Sequence, residues 1–361
     1  MKKKMMLPGP ADIEEEIRLL ASKHLVYNRT PEFSQFISEI EDGLKYVFQT
    51  SNNVFILTCS GTGSMEAAVV NILSKNDTVL VANNGTFGER WTEICEAYGV
   101  NPIEIKEPLG NLIDPIKIQA ELDSNPDIKA VFVTIDETCC GALSDIKKIG
   151  EIVAKTDAIL VVDAISSLGS DEFKTDEWNC DVVIASSHKG LAVAPGLAFM
   201  TMSDKAWKLV ETSTLPSYYF DVRSYKRNIV RGQTPFTPAI SVLYQLHERL
   251  KKIKKEGLEA YIQRYKDLSE YLKSKLINIG LKIVPVVNSN FVIGVYTPDV
   301  VDASLLVQKM KDDYNIFIAP SPGEQKTKMF RVGTVGNITM KDIDETIDCL
   351  KKTLIELGYN C

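Results

Sequence analysis

Histidine is scarce in this sequence: His24, His188 and His247 are the only three, scattered among unrelated segments. No ligand set for a zinc site is visible. The seven cysteines contain no Cys-x-x-Cys pair, and Cys139 and Cys140 are adjacent. An odd number in so long a chain does not make a disulfide framework. No Gly-Lys dipeptide occurs anywhere, which removes a P-loop. No apolar run is long enough to span a membrane. Met1-Lys2-Lys3-Lys4 resembles the start of a signal peptide, but Pro8-Gly9-Pro10 and Glu14-Glu15-Glu16 follow where an apolar stretch would be needed. The expectation is a cytoplasmic protein. The formal net charge is -7, so a basic face for nucleic acid is not expected.

What is present is ordinary globular material. Hydrophobic residues make up 45% and charged residues 25%, enough for a sizeable core, and 361 residues suggest two domains. Up to about residue 205, short β-branched runs alternate with helical stretches. The runs are Val54-Phe55-Ile56-Leu57, Thr78-Val79-Leu80-Val81, Ala130-Val131-Phe132-Val133, Ile159-Leu160-Val161-Val162, Val182-Val183-Ile184 and Leu197-Ala198-Phe199-Met200. Apolar runs of this length suit strands buried on both faces of a mostly parallel sheet. Helical periodicity fills residues 64–73 and 146–154, which gives an α/β layered domain. A long helical pattern covers residues 238–280 and breaks at Gly257. Shorter strands at 281–287 and 291–296, a helix at 303–311, strands near Phe317 and Arg331, and a last helix at 340–357 read as a smaller α+β domain.

Three features carry chemistry. Ser60-Gly61-Thr62-Gly63-Ser64 lies between a strand and a helix. Its glycines permit a tight turn, and the helix start offers free N–H groups and a positive dipole end to a phosphate. A plain turn with a hydroxyl N-cap reads the same residues equally well. A dinucleotide fingerprint would need glycine where Glu66 stands, and an acidic residue where Asn83 and Asn84 stand. Second, Asp163 ends a very apolar strand, where α/β sheets place ligands; a turn cap is the bland alternative. Third, Ser186-Ser187-His188-Lys189-Gly190 puts a lysine at another strand end, among hydroxyls and glycine. A desolvated lysine loses its proton and attacks carbonyls.

In this order, these motifs resemble the fold type I enzymes that use pyridoxal 5′-phosphate, and more narrowly the class V aminotransferases of the alanine–glyoxylate and serine–pyruvate type. The resemblance spans essentially the whole chain. It takes in Leu7-Pro8-Gly9-Pro10, Asn28-Arg29, Glu32-Phe33, Ser60 to Ser64, Gly85-Thr86-Phe87-Gly88-Glu89-Arg90 and Glu137-Thr138. It continues through Asp163, Lys189, Pro195-Gly196-Leu197, Thr234-Pro235-Phe236-Thr237-Pro238 and Phe330-Arg331-Val332-Gly333. It implies a large domain with a mostly parallel mixed sheet flanked by helices, plus the smaller C-terminal domain. The expected division is an arm at 1–15, a large domain at 16–237 and a small domain at 238–361.

The resemblance also implies roles. Lys189 would hold the cofactor as a Schiff base, and its freed amine would shuttle a proton. Asp163 would pair with the pyridine nitrogen and keep it protonated. Thr62, Gly63 and Ser64 would bind the phosphate, Phe87 would stack on the ring, and Thr138 would reach the phenolic oxygen. His188, where glutamine is common, would reach the phosphate and add pH dependence. Thr237 would reach the phosphate of a neighbouring subunit in a homodimer. Arg331 would clamp the substrate carboxylate by a bidentate pair, with Gly9 in the loop on the substrate side. Arg29 is a substrate-side or structural candidate.

The expected reaction moves an amino group from alanine or serine to glyoxylate or pyruvate. Thr234 and Thr334 depart from the family pattern and leave a phosphonate or amino-alcohol substrate as the alternative. A lyase of the same fold, such as a cysteine desulfurase, needs a mobile cysteine. Cys349 lies in an expected helix and Cys361 ends the chain, while Cys139 and Cys140 read as pocket wall. A phosphate-binding module or oxidoreductase without a Schiff base is the reading from another class.

Overall fold

The computed structural model describes residues 3–359. Met1 and Lys2 of the basic start, and Cys361 at the other end, lie outside the described residues. The six expected apolar runs all form strands, and they join a seven-stranded sheet. Its order is Val54–Leu57, Ala198–Met202, Val182–Ser186, Ile159–Asp163, Ala130–Thr134, Thr78–Asn83, Asn101–Lys106. Ala198–Met202 runs antiparallel to both neighbours, and the remaining pairs are parallel. The antiparallel strand restores direction twice, so Val54–Leu57 points the same way as the parallel set. The carboxyl ends of six strands therefore gather at one edge. Strands such as Ile159–Asp163 and Val182–Ser186 are buried at every position. Helices cover both faces, which is why these sequences are apolar throughout rather than alternating.

The edge strand Asn101–Lys106 was not expected, because only Ile105 in it is fully buried. Its alternating residues Ile103, Glu104 and Ile105 reflect one covered face and one wet one. The break at Gly257 is real: Ile240–Glu256 ends there and Leu258–Asn278 begins, with Gly257 at φ +93°. Positive φ costs glycine little and other residues more.

A second sheet follows the order Lys282–Ile283, Val292–Tyr296, Met329–Gly333, Ala319–Pro320, all antiparallel. The strand expected over 281–287 shrinks to two residues, because Val286 and Val287 are exposed. The amino-terminal arm crosses between the two sheets. Lys4–Met5 pairs with Ile316–Phe317, Met6 accepts the Gly333 N–H at 2.9 Å, and Ala11 donates to the His188 carbonyl at 2.9 Å. We propose the three-part division at 15/16 and 237/238, with Ile240–Glu256 as a bridge, since that helix packs along Pro31–Phe48 of the large domain. No helix among the described residues is long and apolar enough to cross a membrane.

Candidate active site

The helix Gly61–Ile72 starts at the end of strand Val54–Leu57 with no side-chain cap on its Ser60 position. The first N–H groups of a helix lack internal partners, so this end is open for an anion. A Cβ on Gly63 would lie 2.8 Å from the Cys59 side chain, so the turn accepts only glycine there without rearrangement. Thr62 is exposed, and its hydroxyl accepts from Arg90 at 3.2 Å. Ser64 differs from expectation: it is fully buried, and its hydroxyl donates to the Gly61 carbonyl at 2.7 Å. A serine in the first turn satisfies a local carbonyl more easily than a distant ligand, so its side chain is committed to the helix.

Phe87 sits in the first turn of Thr86–Ala97, beyond strand Thr78–Asn83. Its orientation comes from a residue that sequence reasoning quoted without a role. The Glu137 carboxylate accepts the N–H groups of Phe87 and Gly88, each at 3.0 Å, and that of Cys139 at 3.2 Å. It thus caps one helix start from another strand end. Arg90 completes the wall, with its guanidinium carbon 4.8 Å from the Phe87 ring centroid. The Gly85 to Arg90 motif held the signal for both, but only the fold shows Arg90 joining the ring to Thr62.

Asp163 is 4% exposed, and one of its oxygens accepts the Ile165 N–H at 2.8 Å. Burial pushes its carboxyl up to about 7 against that bond. Thr138 is buried, with its hydroxyl on that of Ser166, which sequence reasoning had not singled out. The register brings these groups together, because Asp163 pairs with Thr134 on one side and Ile184 on the other.

Lys189 follows strand Val182–Ser186, and its Nζ donates to the Pro8 carbonyl at 2.6 Å. Burial lowers its amine to about 8. Beside it, burial and the lysine charge push His188 down to about 4, and its Nδ1 is buried without a partner. Burial thus keeps this imidazole neutral through the physiological range in the cofactor-free protein. Gly9 closes the site at φ +121°, and a Cβ on it would lie 2.5 Å from the lysine Nζ. Gly9→Ala is therefore expected to lower stability by about 1–3 kcal/mol and to weaken cofactor uptake. Denaturant unfolding and cofactor titration check this, and an unchanged variant would show that the arm does not need its observed path.

Arg331, in Met329–Gly333, donates from Nε and Nη2 to the Pro320 carbonyl and from Nη1 to that of Thr138. Of five guanidinium N–H groups, three are committed, which holds the plane rigid and leaves two. Thr237 is exposed. Arg29 is a tether, since it donates to Gln233 and to the carbonyls of Thr234 and Pro235.

The arrangement fits pyridoxal 5′-phosphate. An open helix start could take its phosphate, an aromatic ring could cover its face, and a buried carboxylate with little local compensation suits a pyridinium nitrogen. A lysine with a depressed proton affinity suits its carbonyl.

The protein-family description "Aminotransferase class-V" matches residues 17–340. The chain is 38% identical to the soluble hydrogenase small subunit of Synechococcus sp., over 99% of this chain and 94% of that one. It is 32% identical to serine–glyoxylate aminotransferase of Methylorubrum extorquens, over 98% and 91%. A solved structure of alanine–glyoxylate aminotransferase from Nostoc sp. superposes with a TM-score of 0.94 at 27% identity, covering 98% of this chain and 95% of that one.

Proposed function

The chain belongs to the class-V aminotransferases and has their fold type I architecture, and on that premise we propose that it moves an amino group from alanine or serine to glyoxylate or pyruvate, with pyridoxal 5′-phosphate carried on Lys189. The observation that carries this reading is Lys189 itself, a buried amine lowered to about 8 and facing the same strand edge as Asp163 and the open helix start. Bound there, the cofactor supplies a carbonyl that captures amines and a protonated ring that draws electrons from the substrate Cα.

The residues divide the remaining work. Lys189 holds the cofactor and, once freed, takes the proton from the substrate Cα and returns it one position along. Its depressed proton affinity leaves part of the amine neutral near pH 7, which a base requires. Asp163 keeps the pyridine nitrogen protonated; in turn, a cation there would relieve the cost of its buried charge. The Thr62 hydroxyl and the N–H groups of Gly61 and Thr62 hold the phosphate, on a turn that the Gly63 and Ser64 N–H groups close by donating to the Ser60 carbonyl. Phe87 covers the ring under the hold of Glu137 and Arg90. Thr138, with Ser166, lies toward the phenolic oxygen, and His188 offers a neutral ring.

Arg331 binds the substrate carboxylate with its two uncommitted N–H groups. Pro320 and Thr138 fix the guanidinium in advance, so little side-chain freedom is lost on binding. Arg331→Ala is expected to raise KM for alanine or serine about 100-fold, corresponding to ~3 kcal/mol for a charge-assisted pair. The visible spectrum of the resting enzyme should remain. Steady-state kinetics decide it, and an unchanged KM would remove Arg331 from the carboxylate.

A homodimer with shared sites is part of the same proposal. Leu25, Val26, Tyr27, Tyr218 and Val230 are exposed, with Tyr218 the most open at 85%. They cluster, since Arg29 binds Thr234 and Pro235 while Tyr218 and Tyr219 pack on Phe236. Thr237 lies at the rim of this apolar face, so a second copy covering it would meet the first one's phosphate site. A cytoplasmic location fits the six cysteines among the described residues, which are all free thiols. The hydrogenase designation of the Synechococcus relative is that protein's own.

The test is spectroscopic. The purified chain with pyridoxal 5′-phosphate should show a visible band that borohydride fixes to the protein. Alanine or serine should bleach it, and glyoxylate or pyruvate should restore it. No band would sink the cofactor assignment. A band indifferent to both donors would leave the cofactor and overturn the substrate.

A further inference from the structure

The cofactor phosphate would meet a site short of positive charge. A phosphate monoester carries about 1.5 to 2 negative charges near neutral pH, and a helix start offers roughly half a positive one. The N–H groups of Gly63 and Ser64 are spent on the Ser60 carbonyl, at 2.9 and 3.4 Å, which leaves those of Gly61 and Thr62. The Ser64 hydroxyl is spent on the Gly61 carbonyl at 2.7 Å. His188 adds no charge, since burial and the lysine beside it push its imidazole down to about 4. The start of the next helix, Thr86–Ala97, already holds an anion of its own. There Glu137 accepts the N–H groups of Phe87 and Gly88, each at 3.0 Å.

Arg90 is a permanent cation that touches this set. Its Nη1 donates to the Thr62 hydroxyl oxygen at 3.2 Å, and its guanidinium carbon lies 4.8 Å from the Phe87 ring centroid. The side chain therefore reaches from the ring that would cover the cofactor to the hydroxyl that would bind its phosphate. No carboxylate pairs with it among the described residues, so its charge is not spent within the chain. The contact with Thr62 also has a direction. Guanidinium only donates, so the hydroxyl must accept, and its own hydrogen is left for another acceptor. No acceptor among the described residues takes that hydrogen. A phosphate oxygen is the kind of partner that would.

We propose that Arg90 is the charge partner of the cofactor phosphate, acting through Thr62: it fixes the Thr62 hydroxyl as a donor and supplies the positive charge that the helix start lacks. The proposal rests on the reading that Lys189 carries the cofactor with its phosphate at Gly61–Ile72. Arg90 is then a positioning residue for the cofactor and does not touch the reacting atoms. Its contact with Phe87 serves the ring half of the cofactor, and its charge serves the phosphate half. The two roles have different consequences. A side chain that only packed on Phe87 would matter equally to a cofactor with or without phosphate. A charge partner matters to the phosphorylated form alone.

The measurement compares two ligands on the cofactor-free full chain: pyridoxal 5′-phosphate, and pyridoxal, which lacks the phosphate. Borohydride fixes the adduct at each ligand concentration. Peptide mass spectrometry reads the occupancy of Lys189, and this readout does not depend on catalysis. Arg90→Met keeps a long side chain that packs on an aromatic ring and removes the charge. The half-saturating concentration of pyridoxal 5′-phosphate should rise about 10-fold, the size of one charge-assisted hydrogen bond. That of pyridoxal should stay where it is. A selective loss of this kind supports the proposal. No loss, or an equal loss for both ligands, overturns it. If Arg90→Met does not fold, Arg90→Gln decides by the same comparison. The wild-type adduct separates the premise. An adduct on Lys189 with no selective loss in the variant sinks only the role of Arg90, whereas an adduct on another lysine sinks the reading of Lys189 and this proposal with it.

Discussion

Lys189→Ala should abolish the borohydride-fixable visible band and slow amino transfer by ~1,000-fold or more, the upper part of the range for losing a general acid–base group. The expectation follows from position. The lysine leaves strand Val182–Ser186 at the edge where the other strand ends converge, and its Nζ is held on the Pro8 carbonyl. Burial lowers the proton affinity of its amine to about 8. Alanine leaves the helix start, Phe87 and Asp163 in place, so the cofactor should still bind without the covalent link. Equilibrium dialysis should therefore find cofactor bound while the rate is lost. A small amine added in solution should restore part of the rate, because it supplies the missing base. Retention of both band and rate would place the chemistry on a different lysine.

Asp163→Asn carries the second large effect, and it has two opposed parts. The rate should fall about 100- to 1,000-fold, the size seen when a preorganised charge is lost from a reacting centre. Binding of the substrate carboxylate at Arg331 should be little changed, so the loss falls on kcat rather than KM. Stability of the cofactor-free protein should move the other way. The Asp163 carboxyl rises from its ordinary 3.8 to about 7 because it is buried. An acid whose folded value is raised binds its proton more tightly in the native state. Its favourable contribution is present at acid pH and is lost as pH rises through about 7. Three units correspond to at most ~4 kcal/mol. Asparagine keeps the acceptor for Ile165 and removes the ionisation. The cofactor-free variant should thus be more stable than wild type at alkaline pH, with the gain vanishing at acid pH. Denaturant unfolding at two pH values tests this. A variant that is equally active, or less stable at alkaline pH, would show that Asp163 does not carry a strained charge awaiting a cation.

Local sequence reached far into this protein. Each buried strand was a continuous apolar run, so its burial was legible from composition alone. The break at Gly257 and the final helix, Met340–Glu356, were equally legible. The edge strand Asn101–Lys106 and the shortened strand at Lys282–Ile283 were not, because each is only partly buried, and the pairing of the arm was not, because its partner lies far away in sequence. Lys4–Met5, for example, pairs with Ile316–Phe317. The helix Pro31–Phe48 went without an assigned boundary, although Thr30 caps it through the Phe33 N–H.

The candidate site divides along the same line. The residues Lys189, Asp163, Phe87, Thr138 and Arg331 stood out by type and motif, and the open helix start by its glycines. Sequence by itself determined which chemical groups were available and in what order the chain delivers them. Tertiary structure decided which groups face one another, because strand register is set by the packing of whole layers. The packed fold turned Ser64 inward and gave Arg331 two carbonyls, those of Pro320 and Thr138. It also set the Glu137 carboxylate on the N–H groups of Phe87 and Gly88. Proton affinities belong to this second class as well. Burial and neighbouring charge fix them, and neither exists until the chain has folded.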